Sequence, residues 1–337
     1  MAENWKANYI VYKYAYVVCT YNGALRLTAC LEALMIHLDE RTCEIIVVDN
    51  ASTDGTFELA NFVLKKSNIP WKVIFEIQPG LMNARIRGFK ESESKILVFI
   101  DDDNLIQNRW TYHHDEVFEN PLIGICGALP IFRENRVTPI WWRRFCYAYA
   151  IGRNGLQDGL LVDREVFGAG MAIRKNVFEK FLNSFYPTLT CGRNGKSLMA
   201  GDDTEICLGS RILGYQIWFD SRNVLIHEID EGRLTEESLQ KILAGFAKAD
   251  PLLKAYRTKV NKITFFRSFG KAVMLYLAFT TLSIIRVGIK RKENRILSIY
   301  SKNLVVSWLH AFQHRQVIET RSQACLKILQ NHNKLHN

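Results

Sequence analysis

The residues that offer chemistry here are mostly aspartates. Asp101, Asp102 and Asp103 are consecutive and directly follow the apolar run 96–100. Three adjacent carboxylates repel one another, and a cation relieves that repulsion. Oxygen ligands suit Mg2+ or Mn2+, and Mg2+ commonly takes one or two carboxylates together with substrate phosphates. The functional reading of 101–103 is therefore a metal–diphosphate site; the plain alternative is a solvated acidic turn. A second pair opens the run Gly201-Asp-Asp-Thr-Glu205. Asp202 with Glu205 three residues on fits a capping box, so Asp202 is expected at the N-cap. Asp203 then falls at the first helical position, free to point out of the helix start, where the dipole favours its charged form. That suits a base working near neutral pH once burial raises its pKa; a merely favourable first-turn acid is the alternative. His227 closes an apolar run and is either a further metal ligand or structural. Asp49 either binds a ligand or turns its own loop. Arg85, in a helix after Pro79-Gly80, either reaches a phosphate or is surface.

These groups need elements that bring them to one edge. Tyr14–Thr20 reads as a buried strand ending at Tyr21-Asn22-Gly23, followed by a helix over 24–38 on Leu27, Leu31, Leu34 and Leu38. Strands over 44–48, 71–77 and 96–100 alternate with helices around Phe57, Ala60 and Leu64 and over 81–91. Four strands alternating with three helices predict an α/β fold with a doubly wound, mostly parallel sheet. Ligands of such sheets bind beyond the carboxyl ends of the strands, where Asp49 and 101–103 lie. Beyond Asn104 the spacing predicts a helix over 107–118, a strand over 123–129, a strand resuming within 167–174, and short strands over 216–219 and 223–226. Trp141-Trp142 opens a stretch dense in aromatics and arginines, suited to a sugar or lipid-linked acceptor or, equally, to packing. Gly170, in Phe167-Gly-Ala-Gly-Met171, permits close approach of a ligand or of backbone. There is no GxGxxG after the first strand and no GxxxxGK[ST], so neither a dinucleotide fold nor a P-loop is supported.

The formal charge of +10 is unevenly placed: residues 253–337 hold sixteen Lys/Arg against two acids, Glu293 and Glu319. The expected division is a unit over 1–232 and a basic helical region over 233–337. Asymmetry of this kind suggests an anionic membrane surface or a nucleic acid. Residues 272–285 are uncharged, about 21 Å as a helix against a roughly 30 Å hydrocarbon core. Basic flanks on both sides disagree with a single crossing, so an interfacial or re-entrant helix pair is favoured over a helical dimer contact. Eight cysteines without CxxC spacing favour a reducing compartment, and the stretch around Glu3 and Lys6 has no signal-peptide core.

Taken in order, these stretches resemble glycosyltransferase family 2, the inverting, nucleotide-sugar-dependent enzymes of the GT-A fold. The resemblance covers residues 14–229. It rests on Thr20-Tyr21-Asn22, Asp49-Asn-Ala-Ser52, Gly80 through Ala84-Arg85 to Gly88, Asp101 to Asp103, Gly201-Asp-Asp-Thr-Glu205 with Gly214-Tyr215, and His227. It implies that Thr20, Tyr21 and Asp49, with Asn22 beside them, hold the nucleotide base, and that Arg85 lies near the diphosphate. It implies further that Asp101 and Asp102 line the nucleotide-sugar site, with Asp101 at the ribose or metal. Asp103 would ligate Mn2+ or Mg2+ with His227, and Asp203 would be the base. Asp202 stands where the family often has Glu; with Trp141, Trp142 and Gly170 it is placed on the acceptor side. The implied donor is a nucleotide-diphosphate sugar, uridine being the family's commonest base. The implied acceptor is a polysaccharide or lipid-linked oligosaccharide hydroxyl at the cytoplasmic face of a membrane. A polyprenyl-phosphate acceptor and a non-catalytic sugar-nucleotide or membrane-binding module are the rivals. Nucleic acid is not expected as a partner, and homo-oligomerisation stays open.

Overall fold

The computed structural model describes residues 12–133, 137–190 and 199–335; Cys191 and the stretch around Glu3 and Lys6 lie outside them. The first half runs β1 (Tyr14–Thr20), α1 (Leu27–His37), β2 (Cys43–Asp49), α2 (Thr56–Leu64), β3 (Trp71–Phe75), α3 (Leu81–Glu91) and β4 (Ile96–Asp101). Every residue of β1 and β2 is buried, as befits strands covered on both faces. β1 pairs in parallel with β2 and β4, and β2 with β3, which is the expected alternation. Helix α1 starts three residues later than its periodicity predicts. The Gly23 carbonyl accepts from the amides of Arg26 and Leu27, so the chain makes a turn first.

The second half holds β5 (Asn104–Ile106), α4 (Trp110–Val117), β6 (Ile123–Ile131), α5 (Trp142–Phe145), β7 (Gly159–Leu161), β8 (Met171–Arg174), α6 (Lys175–Phe185), α7 (Asp202–Ile212) and β9 (Gln216–His227). The strand order is β3-β2-β1-β4-β8-β6-β9-β5, with β7 also on β9. β8 runs antiparallel to both β4 and β6, so a parallel, doubly wound half passes into a mixed half. The two short strands expected at 216–219 and 223–226 are one strand, β9, whose register on β6 shifts beside Gly127.

Four helices follow: α8 (Glu236–Arg257), α9 (Lys262–Ile285), α10 (Gly288–Gln313) and α11 (Arg315–Leu335). Thr235 caps α8 and Asn261 caps α9, each side chain accepting the amide three residues on. These helices are not an appendage in packing terms. One apolar core runs from Val17 and Phe99 in the sheet, through Phe178, Phe181 and Phe185 of α6, to Tyr256, Phe265, Trp308 and Ile318. The expected boundary after residue 232 is thus crossed by shared core. The seven described cysteines are free.

A buried carboxylate fastens the junction. Glu205 of α7 is fully buried and accepts from the amides of Leu189 (2.8 Å) and Thr190 (2.7 Å), and from the hydroxyls of Thr190 and Tyr256. Arg321 of α11 lies 3.8 Å from it and also donates to the Phe185 and Pro187 carbonyls. Replacing Glu205 with Ala strands several buried donors at once. The expected loss is about 3 kcal/mol of stability, read as a lowered urea midpoint with α11 loosening first in hydrogen exchange.

Candidate active site

A cleft of about 1080 Å³ opens beyond the carboxyl ends of β1, β2 and β4, where the fold expects a ligand. Thr20 and Tyr21 after β1, Asn50 and Ala51 after β2, and residues 101–103 after β4 form one side. The start of α7 and the loop 165–169 form the floor, and residues 147–150, α8 and Tyr300 of α10 form the far wall.

The three consecutive aspartates face different partners. Asp102 accepts from the Thr20 hydroxyl (2.7 Å) and from Arg26 through Nε (3.0 Å) and Nη2 (2.9 Å). Burial, with Asp103 adding to it, pushes Asp102 up against the pull of Arg26. Asp103 lies 3.3 Å from His227 Nε2 and 3.3 Å from Arg233 Nη1. Burial on its own would raise the Asp103 carboxyl, but His227, Arg233 and Arg26 outweigh it and hold it well below the usual range. For His227, burial lowers the pKa while Asp103 and Asp101 win and raise it. Asp101 is half-buried at the end of β4 and lines the cleft.

Across the cleft, α7 differs from its expected start. Gly201, at φ 105°, is the N-cap, and no side chain caps the helix. Asp202 is therefore not the cap of a box with Glu205, which bonds elsewhere. Its carboxylate instead takes Arg85 in an ion pair, both residues being buried. Arg85 also lies 5.3 Å over the Phe99 ring, and one of its nitrogens, Nε, has no partner among the described residues. It braces α3 against α7 at the floor of the cleft.

Asp203, the second residue of α7, is partly open to the cleft. Its oxygens accept from the amides of Gly168 (2.9 Å) and Thr204 (2.7 Å). Burial pushes its pKa up and Asp202 adds to this, while Arg85 and the two amides pull the other way. The Gly168 amide reaches it because residue 168 has no side chain: a Cβ there would stand 2.6 Å from Arg85 Nη2.

Toward the β2 end, Asp49 is buried behind the cleft wall. One oxygen accepts the Ser52 amide (3.0 Å); the other, Oδ2, is buried with no partner among the described residues. Asn50 bridges to the Glu76 and Gln78 carbonyls and accepts the Gly80 amide, which sets the entry to α3. Tyr21 is 48% exposed at the cleft rim. Asn22 does not line the cleft; its amide donates to Ser52 Oγ and its side chain accepts the Thr53 amide, tying two loops together.

Trp141 and Trp142 do not line the cleft either. Trp141 is buried and stacks on Tyr149, and Trp142 packs on Phe132, so the packing alternative describes them. Their neighbours Tyr147 and Tyr149 face the cleft instead. Gly170 (φ +76°) is likewise a packing position, since a Cβ would come within 2.8 Å of Ala128 and Trp110. The residues that the sequence reading passed over are Arg26, Arg233 and the Gly168 amide. The two arginines lie in turns without a motif, whereas Gly168 stands inside a stretch whose glycines already signalled close approach.

Among the described residues, no three His, Cys, Asp or Glu side chains stand together in a metal-holding group. Asp103 and His227 are nevertheless a fitting donor pair. Their 3.3 Å contacts are long for charge-assisted hydrogen bonds. Two protein ligands are also enough where substrate phosphates complete the shell.

Residues 16–182 match the family model described as Glycosyl transferase family 2. The chain belongs to glycosyltransferase family 2. Among relatives of this family 2 protein, glycosyltransferase AglE of Haloferax volcanii is 33% identical over 96 residues, 28% of this chain and 31% of that one. The dolichol-phosphate mannosyltransferase of Pyrococcus furiosus is 36% identical over 92 residues, 27% of this chain and 26% of that one. The chain thus spans about a third or less of the length of the curated relatives it matches. The mannosyltransferase PcManGT of Pyrobaculum calidifontis, solved in complex with GDP-Man and Mn2+, superposes with a TM-score of 0.55 at 15% identity. It covers 95% of this chain and 87% of its own. That likeness concerns the fold, which is GT-A.

The Arg85–Asp202 pair of this family 2 protein has a direct test. Arg85→Met leaves a buried carboxylate unpaired and is expected to cost about 3–5 kcal/mol. Arg85→Met with Asp202→Leu recovers most of that loss in urea unfolding, because the buried charge leaves with its partner.

Proposed function

We propose that this protein transfers a sugar, with inversion, from a nucleotide-diphosphate sugar to an acceptor hydroxyl, with Asp203 as the base. The observation that carries this reading is the isolation of Asp203. Asp102 and Asp202 are each matched by an arginine, whereas Asp203 meets backbone amides and is raised by burial. The acceptor oxygen attacks the anomeric carbon as the bond from that carbon to the donor phosphate oxygen breaks. The nucleoside diphosphate leaves with the electron pair, and Asp203 takes the acceptor proton. Asp49 Oδ2, a buried acceptor with no partner among the described residues, suits a base N–H, and a uridine diphosphate sugar is the first donor to test. Asp101, Asp103 and His227 are the residues that would hold Mn2+ or Mg2+. Such an ion supplies charge neutralisation for the departing diphosphate. Arg233 already sits at that end of the cleft.

The acceptor wall is assigned to the C-terminal region, through Phe246, Asp250 and Leu253 of α8 and Tyr300 of α10, beside Tyr147 and Tyr149. At about 1080 Å³ the cleft stands at the upper end of the range for ligand pockets, in keeping with a site that takes a nucleotide sugar. In this reading residues 1–232 bind the donor and residues 233–337 serve the acceptor. The acceptor is a polysaccharide or lipid-linked oligosaccharide precursor of the cell envelope, met at the cytoplasmic face of an anionic membrane where the protein is peripheral. A second reading, transfer to a polyprenyl phosphate, is favoured by the likeness to the Pyrococcus furiosus dolichol-phosphate mannosyltransferase. That acceptor is already ionised and needs no base.

Asp203→Asn separates the two readings. With a hydroxyl acceptor, kcat falls by about 10²–10⁴ while nucleotide-dependent thermal stabilisation persists; with a phosphate acceptor, transfer survives. Because Asp203 must be ionised to accept a proton, kcat/KM falls as pH drops through its pKa. Burial raises that pKa, so the acid limb is expected above the ordinary Asp value of about 3.9. Chelation with EDTA is expected to abolish thermal stabilisation by the nucleotide, Mn2+ or Mg2+ to restore it, and His227→Ala to weaken that restoration roughly 10- to 100-fold in metal concentration.

A further inference from the structure

Helix α9 keeps one side out of the protein. Phe266, Met274, Leu277, Ile284 and Ile285 recur along it at helical steps, and each is at least 60% exposed. Val287, in the turn to α10, is 82% exposed. The opposite side packs on α10, where the Thr280 and Ser298 hydroxyls meet at 2.6 Å, and on the core through Phe265 and Ala272. By length and composition α9 is the one described helix apolar enough to cross a membrane, and almost none of its apolar window is buried.

We infer that α9 lies in the plane of an anionic membrane leaflet, its exposed side chains among the upper acyl chains and the basic residues at both ends on lipid phosphates. Charge decides the occupant. Residues 262–292 hold seven Lys/Arg and no acid, so a second copy laid face to face would set like charges together, whereas anionic headgroups complement them. Length decides the pose. The apolar stretch 274–285 spans about 17 Å along the helix, short of a roughly 30 Å hydrocarbon core. Arg267 and Lys271 precede it, and Arg286, Lys290 and Arg291 follow it, so both ends belong at headgroup level. The same hairpin carries Tyr300 into the cleft wall, which brings an acceptor held in that leaflet close to the site. The inference rests on the peripheral attachment proposed above. Its test reads binding rather than transfer, so it stands or falls apart from the Asp203 chemistry.

The test is flotation of the full chain with phosphatidylcholine vesicles, and with vesicles in which about a quarter of the lipid is phosphatidylglycerol. The chain is expected on the mixed vesicles and not on the neutral ones. Met274→Glu with Leu277→Glu lowers binding at least ~10-fold, and Arg286→Gln, Lys290→Gln and Arg291→Gln lower it by about fivefold each. The double substitution and each of the three single ones change exposed residues and are expected to keep the wild-type thermal midpoint and its shift with nucleotide. Absence of binding, or equal binding to neutral vesicles, overturns the inference. So does light scattering that finds a dimer which Met274→Glu with Leu277→Glu dissociates.

Discussion

Five carboxylates from the end of β4 and the start of α7 line one cleft, and the way each is neutralised organises everything around it. Asp102 is matched by Arg26 and Thr20, Asp202 by Arg85, and Asp103 by His227 and Arg233. Asp203 accepts from backbone amides, and Asp101 stands between the groups at the end of β4. A buried carboxylate without a partner is costly, so each arginine ties its acid into the fold, while Asp203 is held by backbone amides. Arg85 and Asp202 also tie together α3 and α7, two helices far apart in the chain.

Much of the parallel half was legible because its strands are short, apolar and ended by turn residues, and because buried parallel strands leave a continuous hydrophobic run. The mixed half was harder to read. β5 and β7 have three residues each and owe their existence to pairing with β9, which no local period encodes. Helix α6 has a clear apolar face on Val177, Phe178, Phe181 and Phe185, yet it follows β8 without a break that would announce it. The two strands read around residues 216–226 are one because the sheet absorbs the irregularity at Asp220–Arg222 rather than ending there.

At the site, residue types were legible and partners were not. The acidic triplet, Asp203 and His227 all line the one cleft. The pattern Asp-x-x-Glu at 202–205 imitates a cap, but Gly201 takes the cap position and frees both acids for tertiary contacts. The tryptophans at 141–142 could be read as ligand-facing or as packing; neither lines the cleft, Trp141 being buried on Tyr149 and Trp142 half-buried on Phe132, while Tyr147 and Tyr149 do line it. Arg26 and Arg233 carry no local signature, since their role arises only when α1 and the turn after β9 close on residues 102 and 103.

Glu205 lies two residues after Asp203 on the same helix and is bonded to α8 and faced by α11. Helix α11 therefore bears on where Asp203 stands, although none of its described residues lines the cleft. The tail is not an interchangeable module. A C-terminal segment grafted from another member of the family would have to supply a hydroxyl and a guanidinium at the places of Tyr256 and Arg321, or Glu205 would lose its partners and the start of α7 would shift. Divergence in the one is thereby yoked to divergence in the other.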